Sequence, residues 1–215
     1  MGRPARIDRD KVIAAAIKVL DAEGLGGLSL ERLADELDVK APTLYYHYDD
    51  KSAILDDVAK SLLGNLGIQP DPSDWRQLLV DFCLAFYRRV SEHPNVVVLL
   101  IEHLPASAVL RAFDDNAAIL ADAGIPEQAR AAILEGTQHF LWGMALYRAV
   151  GEVNPAFAGI VDATRYPHWA NALAARPISP EQFLEFGVRA LIDGLIEHMD
   201  DLDAVAAATT KGSAP

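Results

Sequence analysis

Residues 28–51, LSLERLADELDVKAPTLYYHYDDK, limit what this chain can fold into more than any other stretch. They read as two short helices joined by a tight turn. Ser29 is placed to cap the first, about Leu30 to Leu37, whose Leu30, Leu33, Ala34 and Leu37 fall on one face. Pro42 opens the second, because the N–H that proline lacks would have no intrahelical partner there. Thr43, Leu44, Tyr45, Tyr46 and His47 follow it. Asp38-Val39 fills the turn, and aspartate enters the left-handed region more readily than most residues. Helices joined in this way form a helix-turn-helix, whose second helix enters the DNA major groove. Leu44 belongs to the core. A helix does not expose Tyr45, Tyr46 and Tyr48 together, so one ring faces inward, and Tyr48 is the expected one.

An arm, GRPAR, precedes a helix from about Arg9 to Ala22. Asp8 is its expected cap, and Val12, Ile13, Ala16, Ile17 and Leu20 its core stripe. Gly24 and Gly26-Gly27 end it. Arm, helix, glycine turn, LSLERLADELDV and APTLYYHYDDKSAIL, in that order, resemble the DNA-binding domain of the TetR family of transcriptional regulators over roughly residues 5–60. The resemblance implies that Thr43, Tyr45, Tyr46 and His47 contact DNA backbone or bases. It implies that Lys51 contacts a phosphate at a helix N-terminus, and that Lys40 and Ala41 tune operator preference. Arg6 joins this set from the basic arm. Two residues depart from the family pattern. Asp38 stands where glycine is usual, and Glu31 stands where the tetracycline-responsive branch has a base-reading arginine. A glutamate accepts from a cytosine amine but does not bind guanine as arginine does, so a different operator is expected.

Charge narrows the partner. The formal net charge is −12, which argues against a general nucleic-acid coat. Residues 1–60 hold nine Lys/Arg against twelve Asp/Glu, so only the arm region, with Arg3, Arg6, Arg9 and Lys11, is basic. Binding must rest on a few placed cations, with the acidic bulk repelling non-specific DNA. The single cysteine, Cys83, excludes an intrachain disulfide and reads as a buried thiol among Phe82, Leu84 and Phe86. The longest strongly apolar run, Val96–Ile101, is too short for a membrane, and no apolar leader opens the chain, so a cytoplasmic protein is expected.

Beyond residue 50 the pattern is helical. Lys51 to about Asn65 forms a linking helix, and Gly64, Gly67 and Pro70-Asp71-Pro72 mark a boundary. A helix from Trp75 to Glu92 carries Leu78, Leu79, Phe82, Phe86 and Val90 and stops before Pro94. Val96–Leu104 has strand propensity but no partner strand, so it reads as a buried helix ending at Pro105. Residues 107–123 and 127–150 are two more helices. An irregular stretch around Asn154-Pro155 and Pro167 holds a helix near 160–174, and Pro180 opens the last, to about Met199. The expected fold is all-α. It has a three-helix helix-turn-helix domain at 1–50, a linking helix at 51–66, a helical ligand-binding and dimerisation domain at 72–203 and a disordered tail at 204–215.

Two helices carry an expected dimer interface. Phe183, Phe186, Ala190, Leu191, Leu195 and Ile196 cover a wide arc of the last helix, with Gly187 and Gly194 allowing close approach. Ala131, Ile133, Leu134, Phe140, Leu141, Met144 and Ala145 leave the 127–150 helix little polar surface. Helices apolar nearly all round must be covered on two sides, and a symmetric copy is one cover. The resemblance implies the same homodimer, and also a small-molecule pocket. Phe86, His103, Phe113, Asn116, Gln138, His139, Trp142 and Tyr147 are the candidate lining, suited to an unknown small effector of apolar or mixed polarity. Aromatics at helical spacing are also what a plain core contains. Glu135 and His139 form only one i,i+4 pair, and His93 and His103 lack the spacing of zinc ligands, so no metal and no cofactor are expected. The function implied is a ligand-responsive transcriptional regulator, by family default a repressor, on a palindromic double-stranded DNA operator. Two other readings stay open. One is a DNA-bound regulator controlled by a protein partner. The other is a small helical enzyme, for which neither His-Glu-x-x-His nor a phosphate loop is present.

Overall fold

The computed structural model of this chain describes residues 8–64, 66–68, 71–151 and 161–199. Among them every regular element is helical. In chain order these are α1 (Arg9–Gly27), α2 (Leu30–Glu36), α3 (Ala41–Tyr45), α4 (Lys51–Leu63), α5 (Trp75–Glu92), α6 (Val97–His103), α7 (Ala106–Asp122), α8 (Glu127–Gly151), α9 (Pro167–Ala174) and α10 (Pro180–Glu197). Short 3-10 turns precede α5 and α6. The chain therefore has the all-α architecture that its periodicity implies. No single helix among the described residues is long and apolar enough to cross a membrane. Arg6, the Asn154-Pro155 stretch and the tail from 204 lie outside the described residues.

The helix ends follow from capping chemistry. Asp8, Ser29, Asp50 and Ser179 each accept a hydrogen bond from a backbone N–H in the first turn of α1, α2, α4 and α10. Ser179 and Gln182 complete a reciprocal capping box, with Pro180 at the first helical position. α1 runs past Ala22, but its helical path breaks at Gly24, which has φ 69°, a conformation costly to any residue with a Cβ. Asp38 has φ 52° and is the one non-glycine at positive φ among the described residues. It takes the left-handed turn between α2 and α3 that its sequence position suggests.

Two compact units emerge. The first comprises Met1–Leu66, Arg88–Ala106 and Ala145–Ala158; the second comprises Gly67–Tyr87, Ser107–Met144 and Gly159–Pro215. These units do not follow contiguous boundaries at 50, 66 and 72, because 88–106 and 145–158 group with the helix-turn-helix. In the first unit α1 packs on α2 and α4, α2 on α3, and α6 on α4. Its core holds Val12, Ala16, Val19, Leu20, Leu33, Leu44, Ile54, Val58, Leu99 and Leu100, all nearly inaccessible. At roughly 1.5–3 kcal/mol for each fully buried large aliphatic, this core orders even the five-residue α3. The α1 stripe is rotated from the expected one: Val19 is buried, whereas Ile13 and Ile17 are half-buried.

The second unit joins α5, α8 and α10. Phe86 of α5 meets Trp142 of α8 edge to face, and Arg189 of α10 donates to Gln77 of α5 at 2.7 Å. A Cβ on Gly187 would lie 2.4 Å from the Phe140 ring, so this glycine lets α10 approach α8 within the chain. That corrects the expectation that Gly187 serves close approach to a second copy. Gly194 has nothing within 4 Å of where its Cβ would be. Cys83 is buried, and desolvation pushes its thiol from 9.0 up to about 12, which makes it a poor nucleophile and redox sensor.

Candidate functional site

The helix-turn-helix presents a polar face built on an apolar floor. Leu44 is fully buried under α3, and Tyr48, just beyond it, is 3% exposed. Fixing these two leaves Tyr45 and Tyr46 outward, at 49% and 77% exposure, with His47 also exposed. Tyr46 and His47 stack edge to face at 5.2 Å. Lys40 is the exposed N-cap residue of α3, and Ala41 and Thr43 are half-buried on its first turn. Seven of the eight candidate DNA residues lie in this unit; the eighth, Arg6, lies outside the described residues.

Three features were not foreseen. Tyr48 is anchored, since its hydroxyl donates to Asp57 Oδ2 at 3.1 Å and Arg9 Nε donates to the same oxygen. Asp57 is a buried carboxylate on α4, 7% exposed. Burial, then the neighbouring Asp57, pushes the Tyr48 hydroxyl above its ordinary pKa, and Asp57 raises the Arg9 guanidinium. This cluster ties the start of α1 and the end of the recognition segment to α4. A buried acid inside an apolar stripe is the signal that the sequence offered. The second feature is Lys51. Its Nζ donates to the Leu25 carbonyl in the last turn of α1, just past the Gly24 break, which a phosphate contact would have to share or break. The third is on α2: the Tyr45 hydroxyl donates to Glu31 Oε1 at 2.8 Å.

The candidate effector residues divide. Phe86, Phe113, Asn116, Gln138, His139 and Trp142 lie in the second unit; His103 and Tyr147 lie in the first. Phe86 and Trp142 meet at 4.9 Å between ring centroids, and Phe82 stands 6.2 Å from Phe86. Gln138 is half-buried one turn before Trp142 on α8. The remaining side chains are placed differently. Asn116 donates to the Ala112 carbonyl of its own helix, His139 is exposed, and Tyr147 is 61% exposed. His103 Nδ1 lies 3.2 Å from Asp56 Oδ1, linking α6 to α4. Among the described residues no group of three or more His, Cys, Asp or Glu is arranged to hold a metal ion.

Comparison with known proteins bears on the whole chain. The sequence family described as bacterial regulatory proteins, tetR family, matches residues 12–58, and the tetracyclin repressor-like C-terminal domain matches residues 69–199. The chain is 29% identical over 203 residues to the tetracycline repressor protein class E of Escherichia coli, covering 92% of this chain and 94% of that protein. Among solved structures it is similar to a possible TetR family transcriptional regulator from Streptomyces coelicolor A3(2). That match has a TM-score of 0.71 and 25% identity, over 88% of this chain and 99% of the other. The fold also matches TetR from Acinetobacter baumannii AYE, with a TM-score of 0.71 and 21% identity over 89% and 98% of the two chains. The helix-turn-helix match agrees with the geometry of α2 and α3, the C-terminal match covers more than half the chain, and the chain belongs to the TetR family of bacterial regulatory proteins.

Proposed function

We propose that this protein is a ligand-responsive transcriptional repressor that works in the cytoplasm. A homodimer holds a palindromic operator through α3 and releases it when a small molecule binds. The observation that carries the reading is the face of α3. Lys40, Tyr45, Tyr46 and His47 are exposed on a segment whose floor, Leu44 and Tyr48, is buried. Hydroxyl, imidazole and ammonium groups there match phosphate oxygens and base edges. Two copies are the economical arrangement, because α10 leaves Phe186, and part of the Phe183 ring beside Phe140, open to solvent, and a palindrome demands two readers roughly 34–36 Å apart.

The effector reading rests on Phe86, Trp142 and half-buried Gln138, an aromatic pair with a polar neighbour, in keeping with a ligand of mixed polarity. Effector binding would reach the operator through α4, which begins just after the recognition segment and is packed by α6. A tilt of α4 would move α3 relative to its twin, and rigid DNA penalises such a change.

The test is fluorescence anisotropy on labelled duplexes from the DNA flanking the coding region, at low salt, with the purified full-length protein. Saturable binding to one fragment, weakened by His47→Ala without loss of helicity, supports the reading. Absence of binding to every flanking fragment refutes it.

A further inference from the structure

The Tyr45–Glu31 contact gives the proposed operator reader a chemical preference, an inference that rests on the DNA-binding reading above. Glu31 lies in the first turn of α2 and is exposed, as is Tyr45 on α3. Its partner is a hydroxyl, whereas Glu36 on the same helix is met by Lys18 and Arg32. Hydrogen bonds from its own backbone N–H and then from Tyr45 hold the Glu31 carboxyl below its ordinary pKa, so it stays ionised. A phenol has one proton, and Tyr45 gives it to Glu31 at 2.8 Å. What the pair then offers a groove is lone pairs alone: the second carboxylate oxygen and the phenolic oxygen.

An acceptor-only surface is selective in the major groove. Guanine shows it N7 and O6, and thymine shows O4; all three are acceptors and repel. Adenine offers its N6 amine beside N7, another acceptor. Cytosine offers its N4 amine with no acceptor on that edge of the base. We infer that Glu31 and Tyr45 act as one reader that selects cytosine at a symmetric position of each operator half-site. Without such a donor, the carboxylate would approach the polyanion uncompensated.

The test is selection of randomised duplexes by the full-length protein, followed by affinity measurements for the four bases at each enriched position. Wild type should favour cytosine over thymine by on the order of tenfold at one position per half-site. Glu31→Gln supplies an amide that both donates and accepts, which suits adenine, so the preference there should move from cytosine to adenine. Tyr45→Phe should reduce the cytosine preference several-fold without reversing it. An operator whose every position is unchanged in Glu31→Gln overturns the inference while leaving the regulator reading intact. A wild-type preference for another base at the Glu31-sensitive position also overturns it. Should Glu31→Gln bind no duplex, Tyr45→Phe decides, and a cytosine-to-thymine ratio equal to that of wild type overturns the inference. Failure of the wild type to enrich any sequence overturns both.

Discussion

α3 and α10 both hold aromatic rings out into water, and the chemistry of those rings separates two kinds of surface. On α3 and its C-cap they are Tyr45 and Tyr46, beside His47. Each carries a hydroxyl: Tyr45 gives its proton to Glu31 and keeps lone pairs for a base donor, while Tyr46 is open to water that phosphates or bases can replace in a complex. On α10 they are Phe183 and Phe186, 37% and 65% exposed. A phenyl ring has no such exchange; it gains only when covered, at about 25 cal/mol per Å² of apolar surface. The scaffolds differ too. α10 has 18 residues and a full capping box, while α3 has five and depends on the core beneath it. A polar aromatic face on a short, anchored helix suits a polyanion, and a bare aromatic face on a long, self-sufficient helix suits another protein surface.

Charging the exposed face of α10 separates the two surfaces most strongly. Phe186→Asp should split the dimer and lower operator affinity by about a hundredfold or more, since each half-site then binds alone. Helicity should persist, because the side chain is mostly solvent-exposed. Sedimentation equilibrium beside anisotropy decides, and a native dimer mass in the variant would remove α10 from the interface. Gly187→Ala probes the inner side of the same helix. Its Cβ would press on the Phe140 ring, and overpacking of this kind costs about 1–3 kcal/mol. Urea unfolding reads that loss, and an unchanged midpoint would show that the ring yields freely.

The α3 surface should answer in the opposite sense. Tyr46→Ala removes the most exposed of its rings, so operator affinity should fall about tenfold while stability moves by no more than about 0.5 kcal/mol. A large drop in melting temperature with unaltered DNA affinity would reverse the assignment. Lys51→Ala is the mildest case and has a double signature. The salt dependence of binding should become shallower by about one phosphate contact, and stability should fall by about 1 kcal/mol as the Leu25 carbonyl loses its donor. Loss of stability with an unchanged salt slope would confine Lys51 to holding the end of α1.

Local chemistry was legible in the sequence. Trp75–Glu92, the capping by Ser29, the left-handed Asp38 and the inward Tyr48 all follow from propensity, caps and helical spacing, which act over a few residues. What escaped depends on residues far apart in the chain. Asp57 reaches Arg9 across 48 positions, Tyr45 reaches Glu31 across 14, and Gly187 exists for Phe140. No periodicity encodes those meetings. The rotation of α1 toward Val19 has the same origin, because neighbouring helices decide which of several apolar residues is innermost. In the sequence, only aromatic and polar residue types at helical spacing mark the candidate effector residues. That criterion does not distinguish Trp142, which meets Phe86, from His139, which faces solvent.

The proposed assembly is a twofold protein on a twofold site, and hydroxyl-radical footprinting of the flanking DNA tests it. The expected result is two protected half-sites of related sequence and opposite orientation, with centres about one helical turn apart or a multiple of it, and protection that fades together in Phe186→Asp. A single unsymmetrical footprint that survives this substitution, or no protection at concentrations well above those needed for a specific site, would contradict it.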